Sequence, residues 1–184
     1  MKINIKNIEI RDFNKEDVQY VLDYWYRSEA GYVESLGVDS SKMRLEKETK
    51  KVLQDICEKG DNTTDSKSTY LTIQYKDKPI GVHLIHISKE DDSAIFHAHI
   101  WKKEFRRKGI CTYTYPIAFK IFFYRFKLKK IIFKTPIQNI GAIRVKEKLC
   151  IRCIGEEIIS YEFIKEGTKA KVFELSKKEL DKLF

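Results

Sequence analysis

The sequence predicts a mixed α/β domain in which a mostly antiparallel sheet is covered by helices. Three observations lead there. Short β-branched and aromatic runs recur along the chain, amphipathic stretches alternate with them, and at Gly109 the apolar spacing changes from the run of a strand to intervals of three and four residues. Alternation of this kind builds a sheet with helices packed on it.

Taken in order, Ile8-Glu9-Ile10 is a short first strand, and Lys15 to Arg27 is an amphipathic helix with Val18, Val21, Leu22 and Trp25 on one face. Tyr32 to Met43 reads as irregular and Arg44 to Glu58 as a second helix. Gly60 to Lys67, Gly-Asp-Asn-Thr-Thr-Asp-Ser-Lys, is a polar loop. Ser68–Tyr75 and Ile80–Ser88 form a hairpin around Lys76-Asp77-Lys78-Pro79, and Ala94 to Trp101 continues the meander. Ile110, Tyr113, Ile117, Ile121 and Tyr124 then mark a long helix. A strand over Lys130–Thr135 and a helix over Ile140–Leu149 follow. Strands over Glu156–Lys165 and Lys169–Leu175, joined through Glu166-Gly167-Thr168, and a helix over Lys177–Phe184 complete the chain.

At 184 residues without a glycine- or proline-rich linker, the chain is expected to form a single domain over 1–184. A domain of this size buries about 70% of its unfolded surface and needs no staples. Cys57, Cys111, Cys150 and Cys153 make no disulfide framework and lack the spacing of a zinc site, so no metal is expected. The cysteines at 150 and 153 read as small apolar residues packed where the last long helix enters the next strand. No apolar segment is long enough for a membrane and no signal peptide opens the chain, so a cytoplasmic protein is expected. The 36 Lys and Arg against 27 Asp and Glu give a formal charge of +9, but the lysines are scattered, and nucleic acid is not an expected partner.

The local cluster Lys102, Lys103, Arg106, Arg107 and Lys108 is different, because it stands where a strand ends and a helix begins. The first N–H groups of a helix lack internal partners and lie at the positive end of its dipole, which favours an anion. Gly109, without a Cβ, lets a diphosphate approach the backbone and permits left-handed dihedrals. A merely solvated corner is the competing reading of the same residues.

The full order is strand, Arg106-x-x-Gly109-x-Cys111, helix, strand, Asn139-x-x-Ala142, helix, then Glu147-Lys148-Leu149-Cys150-Ile151. In that order the chain resembles the GNAT superfamily of acyl-CoA-dependent N-acetyltransferases, from Ile8 to about Leu175. It looks closest to the branch that contains ribosomal-protein N-terminal acetyltransferases. It departs from the family pattern where Cys111 and Cys150 replace small residues and Ile151 replaces Phe.

The resemblance implies a sheet whose two neighbouring parallel strands splay apart, with helices on both faces and the pantetheine arm of acetyl-CoA entering the gap. It implies that backbone groups of His99, Ile100 and Trp101 pair with the arm. Arg106, Arg107, Lys108, Gly109, Ile110, Cys111 and Thr112 would hold the pyrophosphate, chiefly through the backbone from Arg107 onward. Asn139 would touch the arm, or cap the helix that follows it, or both. The activity implied is acetyl transfer to a primary amine, on a small molecule or a protein N-terminus, by a monomer or homodimer. The alternative is a catalytically degenerate fold that only binds coenzyme A or a partner.

Direct transfer needs a neutral amine, a donor for the oxyanion and a proton for the departing sulfur. An α-amine of pKa about 7.7–8.0 is largely neutral near pH 7.5, whereas a lysine at about 10.4 is neutral in roughly one molecule per thousand. His97 and His99, on one side of their strand, are candidate bases or else fillers of a polar sheet face. Many family members carry Tyr where this chain has Lys146. A solvent-facing lysine is expected there, able to act as an acid only if burial or cationic neighbours lower its pKa. Trp25, Tyr26, Tyr32 and Tyr161 are candidates to line the acceptor's mouth, although Trp25 also suits the apolar stripe of its helix.

Overall fold

The computed structural model describes residues 3–59, 68–161 and 163–183. The polar stretch from Gly60 to Lys67 lies outside them. Seven strands, β1 (Ile8–Asp12), β2 (Ser68–Tyr75), β3 (Lys78–Ser88), β4 (Ser93–Ile100), β5 (Lys130–Pro136), β6 (Arg152–Ile158) and β7 (Lys169–Ser176), form one sheet in the order β1-β2-β3-β4-β5-β7-β6. Every neighbouring pair is antiparallel except β4 and β5, which run parallel. The helices are α1 (Val18–Tyr26), α2 (Tyr32–Ser35), α3 (Glu46–Lys59), α4 (Ile110–Phe126), α5 (Ile140–Lys148) and α6 (Lys177–Leu183). Among the described residues no helix is long and apolar enough to cross a membrane.

Alternation along β3 and β4 divides the interior. Ile85, Ala94 and Phe96 face α4, with Phe119, Phe122, Phe133 and Phe173 in the largest core, while Val82 and Leu84 face α1 and α3. Asp17, fully buried, fixes α1 to the sheet: it accepts from both Arg11 guanidinium nitrogens at 2.6 and 2.8 Å and from Thr72 Oγ1 at 2.7 Å. The β2–β3 hairpin turns at Lys76 and Asp77, both in the left-handed region, as a two-residue turn matched to strand twist requires. Pro79 thus lies within β3, beside a register shift at Ile73/Gln74, and not in the turn.

Three expectations are corrected. The stretch from Tyr32 to Met43 is not irregular throughout, since it holds α2 and a 3₁₀ turn over Ser40–Lys42. The sixth strand starts at Arg152 and ends at Ile158, so Tyr161 and Phe163 to Lys165 lie outside it, and Ile164 bridges to Val38. Cys150 and Cys153 are exposed, not packed.

In α4, the three-and-four spacing visible in the sequence falls largely on the wrong face. Tyr113, Ile117 and Tyr124 are exposed, and the buried set is Ile110, Thr114, Tyr115, Ala118, Phe119, Phe122 and Phe123. The helix is apolar nearly all round, so periodicity alone could not choose the core face. Phe119 meets Phe96, Tyr115 and Phe133 with ring centroids 5.1–5.6 Å apart. Phe119→Ala is expected to cost about 3–5 kcal/mol, lowering Tm by roughly 6–20 °C, whereas Ile117→Ala on the opposite side should change stability by about 0.5 kcal/mol. Thermal melts of the two variants check the assignment, and comparable losses would overturn it.

Candidate active site

The site is built on an interrupted ladder. β4 and β5 pair only from Ser93–Lys130 to Ile95–Ile132, although β4 runs on to Ile100 and β5 to Pro136. Beyond Ile95 the parallel strands diverge. Trp101 N–H donates to the Ile80 carbonyl at 2.9 Å, so in the antiparallel β3–β4 ladder the backbone groups of His99 and His97 also turn towards β3. The intervening residues, Ala98 and Ile100, therefore turn theirs towards the gap. Of the three residues expected to line the gap with backbone groups, Ile100 has that orientation, while the Trp101 N–H is already occupied. Gly81 holds β3 close to this stretch, because a Cβ there would lie 2.5 Å from the His99 carbonyl oxygen.

Past the end of β4 the chain turns through a basic, glycine-led loop into α4. Arg107 and Gly109 take left-handed dihedrals, φ 59° and 78°. Gly109 precedes α4 with no side-chain cap, and the first intrahelical bond runs from Tyr113 N–H to the Gly109 carbonyl. The N–H groups of Ile110, Cys111 and Thr112 thus form the positive end of a 17-residue helix. A Cβ on Gly109 would meet nothing within 4 Å, so the space before that helix is open, and Arg107 and Lys108 are exposed beside it. Arg106 departs from expectation. Its guanidinium turns inward, donating to the Ile100 carbonyl at 3.0 Å and the Trp101 carbonyl at 2.8 Å, and lies 3.7 Å from the Tyr32 ring centroid. It braces the loop and is not presented to a phosphate.

Asn139 caps α5, its side-chain oxygen accepting from Ala142 N–H at 3.2 Å. His97 and His99 lie on the sheet face opposite α4. The His97 ring meets His86 at 5.4 Å, and His99 Nδ1 pairs with the Tyr24 hydroxyl at 3.1 Å, with Trp25 edge-on to its ring at 5.0 Å. Burial pushes His99 down to about 4, with the Lys146 charge adding to the effect, and holds His97 well below the usual imidazole range. Both are neutral at pH 7.

Lys146 is the principal surprise. The side chain expected in solvent is only 5% exposed, 5.6 Å from the Phe133 ring and 6.0 Å from the Tyr115 ring, and burial lowers it to about 8. The spacing from buried Ile143 was the missed signal, since positions three apart share a helix face. Tyr24, three residues after Val21 on the buried stripe of α1, escaped notice in the same way. Cys111 packs half-buried near Lys146, its thiol pushed up to about 11 by burial and therefore neutral.

The four aromatic candidates do not form one wall. Trp25 and Tyr26 border an open recess of about 370 Å³ between α1 and the start of α3, which Glu29, Glu34 and Glu46 also line. The Tyr26 hydroxyl donates to the Arg44 carbonyl and pairs with Thr49 Oγ1. Tyr32 supports Arg106, and Tyr161 lies beside Lys134 and Glu157. The segment between α1 and α3 meets the loop after β6 through the Val38–Ile164 bridge and the bonds Asp39 N–H to Phe163 O and Lys165 N–H to Gly37 O. Among the described residues no group of three or more His, Cys, Asp or Glu side chains could hold a metal ion.

Neither a family model nor a curated protein sequence matches the chain. Solved structures do. Spermidine N-acetyltransferase from Vibrio cholerae, in complex with CoA and spermine, superposes with a TM-score of 0.75 at 14% identity over 95% of this chain and 98% of that one. Ribosomal-protein-S5-alanine acetyltransferase from Vibrio fischeri gives 0.74 at 14% identity over 98% of both chains. An acetyltransferase of the GNAT family from Bacillus anthracis gives 0.70 at 17% identity over 97% and 100%. The chain therefore has the GNAT acetyltransferase fold.

His83, buried under α4 and bonded to Thr114, is pushed down to about 3, and His86 is also lowered by burial. With all four imidazoles below their ordinary value, the folded chain takes up fewer protons than the unfolded one as pH falls below about 6.5. Stability should be greatest above that pH and decline towards about pH 4. Melting curves across this range check the sign, and a histidine NMR resonance with a midpoint above about 6.5 would contradict the burial of these rings.

Proposed function

We propose that this chain is an acyl-CoA-dependent N-acetyltransferase that moves an acetyl group to a primary amine by direct attack in a ternary complex. The observation that carries this reading is one continuous path. A strand edge that turns the Ala98 backbone and the Ile100 N–H towards the gap, the Ile100 carbonyl being held by Arg106, leads to an uncapped, glycine-led helix N-terminus flanked by Arg107 and Lys108. An extended amide-bearing ligand can pair with such an edge as an added strand does, while its phosphates lie on the helix N–H groups. Ala98 and Ile100 would hold the arm, and Arg107, Lys108, Gly109, Ile110, Cys111 and Thr112 the pyrophosphate. When bound, acetyl-CoA supplies the activated acetyl group.

The acceptor would approach from the recess edged by Trp25, which adjoins His99. On a chain of net charge +9, a recess lined by three glutamates suits a cationic amine. Two of them carry ion pairs, Glu29 with Lys103 and Glu46 with Arg27, whereas Glu34 Oε2 has no hydrogen-bond partner among the described residues. With its proton on Nδ1 and donated to Tyr24, His99 would present Nε2 as the acceptor of the amine's departing proton. So weak a base suits an amine that is already neutral better than one of pKa near 10. Polyamine and protein N-terminus, the acceptors named for the two Vibrio neighbours, are the classes to compare. We take the protein to act in the cytoplasm.

Acetyl-CoA at a hundredfold excess over Kd should stabilise the fold by about 2.7 kcal/mol, a Tm rise of roughly 5–10 °C. Lys108→Glu should remove most of that rise without affecting the melt of the unliganded protein. It is a cleaner probe than a change at Gly109, whose left-handed φ strains any side chain. Transfer to spermidine and to an alanyl peptide is then followed by thiol release. Binding without transfer to any amine would favour the coenzyme-binding module, and absence of binding would defeat both readings.

A further inference from the structure

Lys146 is a buried cation without an anion. Among the described residues it makes no ion pair, and its surroundings are the rings of Tyr115 and Phe133, the thiol of Cys111, and His97 and His99 across the gap. At pH 7 all the titratable neighbours are neutral. The Tyr115 hydroxyl is held well above its ordinary value by burial, and the thiol and both imidazoles are uncharged as described above. Burying an ammonium without a partner is costly, and an apolar side chain of similar volume would be more stable there. The cost falls at one place. On α5, Lys146 lies 5.6 Å from the ring of Phe133, the first β5 residue past the paired stretch of β4 and β5, and its charge acts on His97 and His99 on the opposite face of the sheet.

We propose that Lys146 is a catalytic acid, an ammonium stored without a counter-ion that gives its proton to the sulfur departing from the acetyl group. The inference rests on the acetyl-transfer reading above. In the step, the acceptor nitrogen forms the new N–C bond, the C–S bond breaks with its electron pair passing to sulfur, and the Nζ proton joins that sulfur. The acceptor's own proton leaves to His99 or to water, and water returns a proton to Lys146. An anion that exists only during reaction is the partner the resting site lacks, so the attraction acts where charge develops and not beforehand.

The test compares the wild-type protein with Lys146→Met and Lys146→Arg. A structural ammonium predicts a lower Tm for Lys146→Met, whereas a stored acid predicts an unchanged or higher Tm, because a buried charge has been removed. Coenzyme A and desulfo-coenzyme A, which lacks the sulfur, are bound to each protein across a pH series, and the ultraviolet thiolate signal is taken as their difference. In the wild type the bound thiol should ionise roughly one unit or more below free coenzyme A, and in Lys146→Met at or above it. Turnover of Lys146→Met should fall about 100-fold and lose the decline in rate above about pH 8. Lys146→Arg should keep part of the rate and move that decline upward. An unshifted thiol in the wild type, or Lys146→Met with full turnover and an intact alkaline limb, overturns the proposal while leaving acetyl transfer standing. A wild type that binds neither ligand overturns the cofactor reading, and this one with it.

Discussion

Three residue pairs join β4 to β5, and the rest of the site depends on the ladder stopping there. A parallel pair that continued past Ile95 and Ile132 would satisfy the Ala98 backbone and the Ile100 N–H and close the sheet between α5 and the histidines. Two packing devices keep the strands apart. The end of β4 is drawn towards α1, where Trp101 stacks on Tyr20 with centroids 5.6 Å apart and planes 7° from parallel. β5 instead follows β7, pairing along its whole length from Lys130–Ser176 to Pro136–Ala170. Each strand has a full antiparallel partner on its outer side, so the open seam costs few backbone bonds and leaves an edge for an extended ligand.

The electrostatics of the seam follow from its walls. Phe133, Tyr115 and Trp25 exclude water, which is why His97 and His99 remain neutral and why Lys146 is pushed down towards neutrality without losing its charge at pH 7. The asymmetry is chemically useful. Bases that hold no proton lie on one side of the gap and a group that holds a loosely bound one lies on the other. That is the arrangement needed when an amine loses a proton and a thiolate gains one. Among the described residues no carboxylate pairs with Lys146, although Asp17 shows that this fold can bury an ion pair with full hydrogen bonding.

Much of this was legible in the sequence, and the failures have a common cause. Strand identity, the helix after Gly109 and the cap at Asn139 were readable because each depends on local chemistry: β-branched runs, a left-handed glycine, a side-chain oxygen three residues before an N–H. The residues misjudged were those whose environment comes from another element. Residue type puts a lysine such as Lys146 in solvent, whereas Phe133 on β5 and Tyr115 on α4 stand beside it in a buried position. The exposed stripe of α4 was indistinguishable from its core stripe, since both carry Ile and Tyr and only the sheet decides between them. Cys150 and Cys153 have a residue type common in cores, yet Cys150 falls in the turn after α5 and Cys153 on the edge strand β6, and both are exposed.

Arg106 shows how a motif residue can serve its motif indirectly. Presented to solvent, its guanidinium would add one more charge to a cluster that already has Arg107 and Lys108. Turned inward, it holds the carbonyls of Ile100 and Trp101 and lies 3.7 Å from the centre of the Tyr32 ring, so the loop before α4 is tied both to the end of the open strand and to α2. The bidentate grip fixes the direction of the chain as it leaves the sheet, and with it the aim of the N–H groups of Ile110 to Thr112. Lysine could not replace it, having neither the planar fork to span two carbonyls nor the flat face for the ring. The same contact reaches α2, whose Val33 and Glu34 border the open recess between α1 and α3. One side chain therefore ties the end of β4, the loop before α4 and the first residue of α2 to one another.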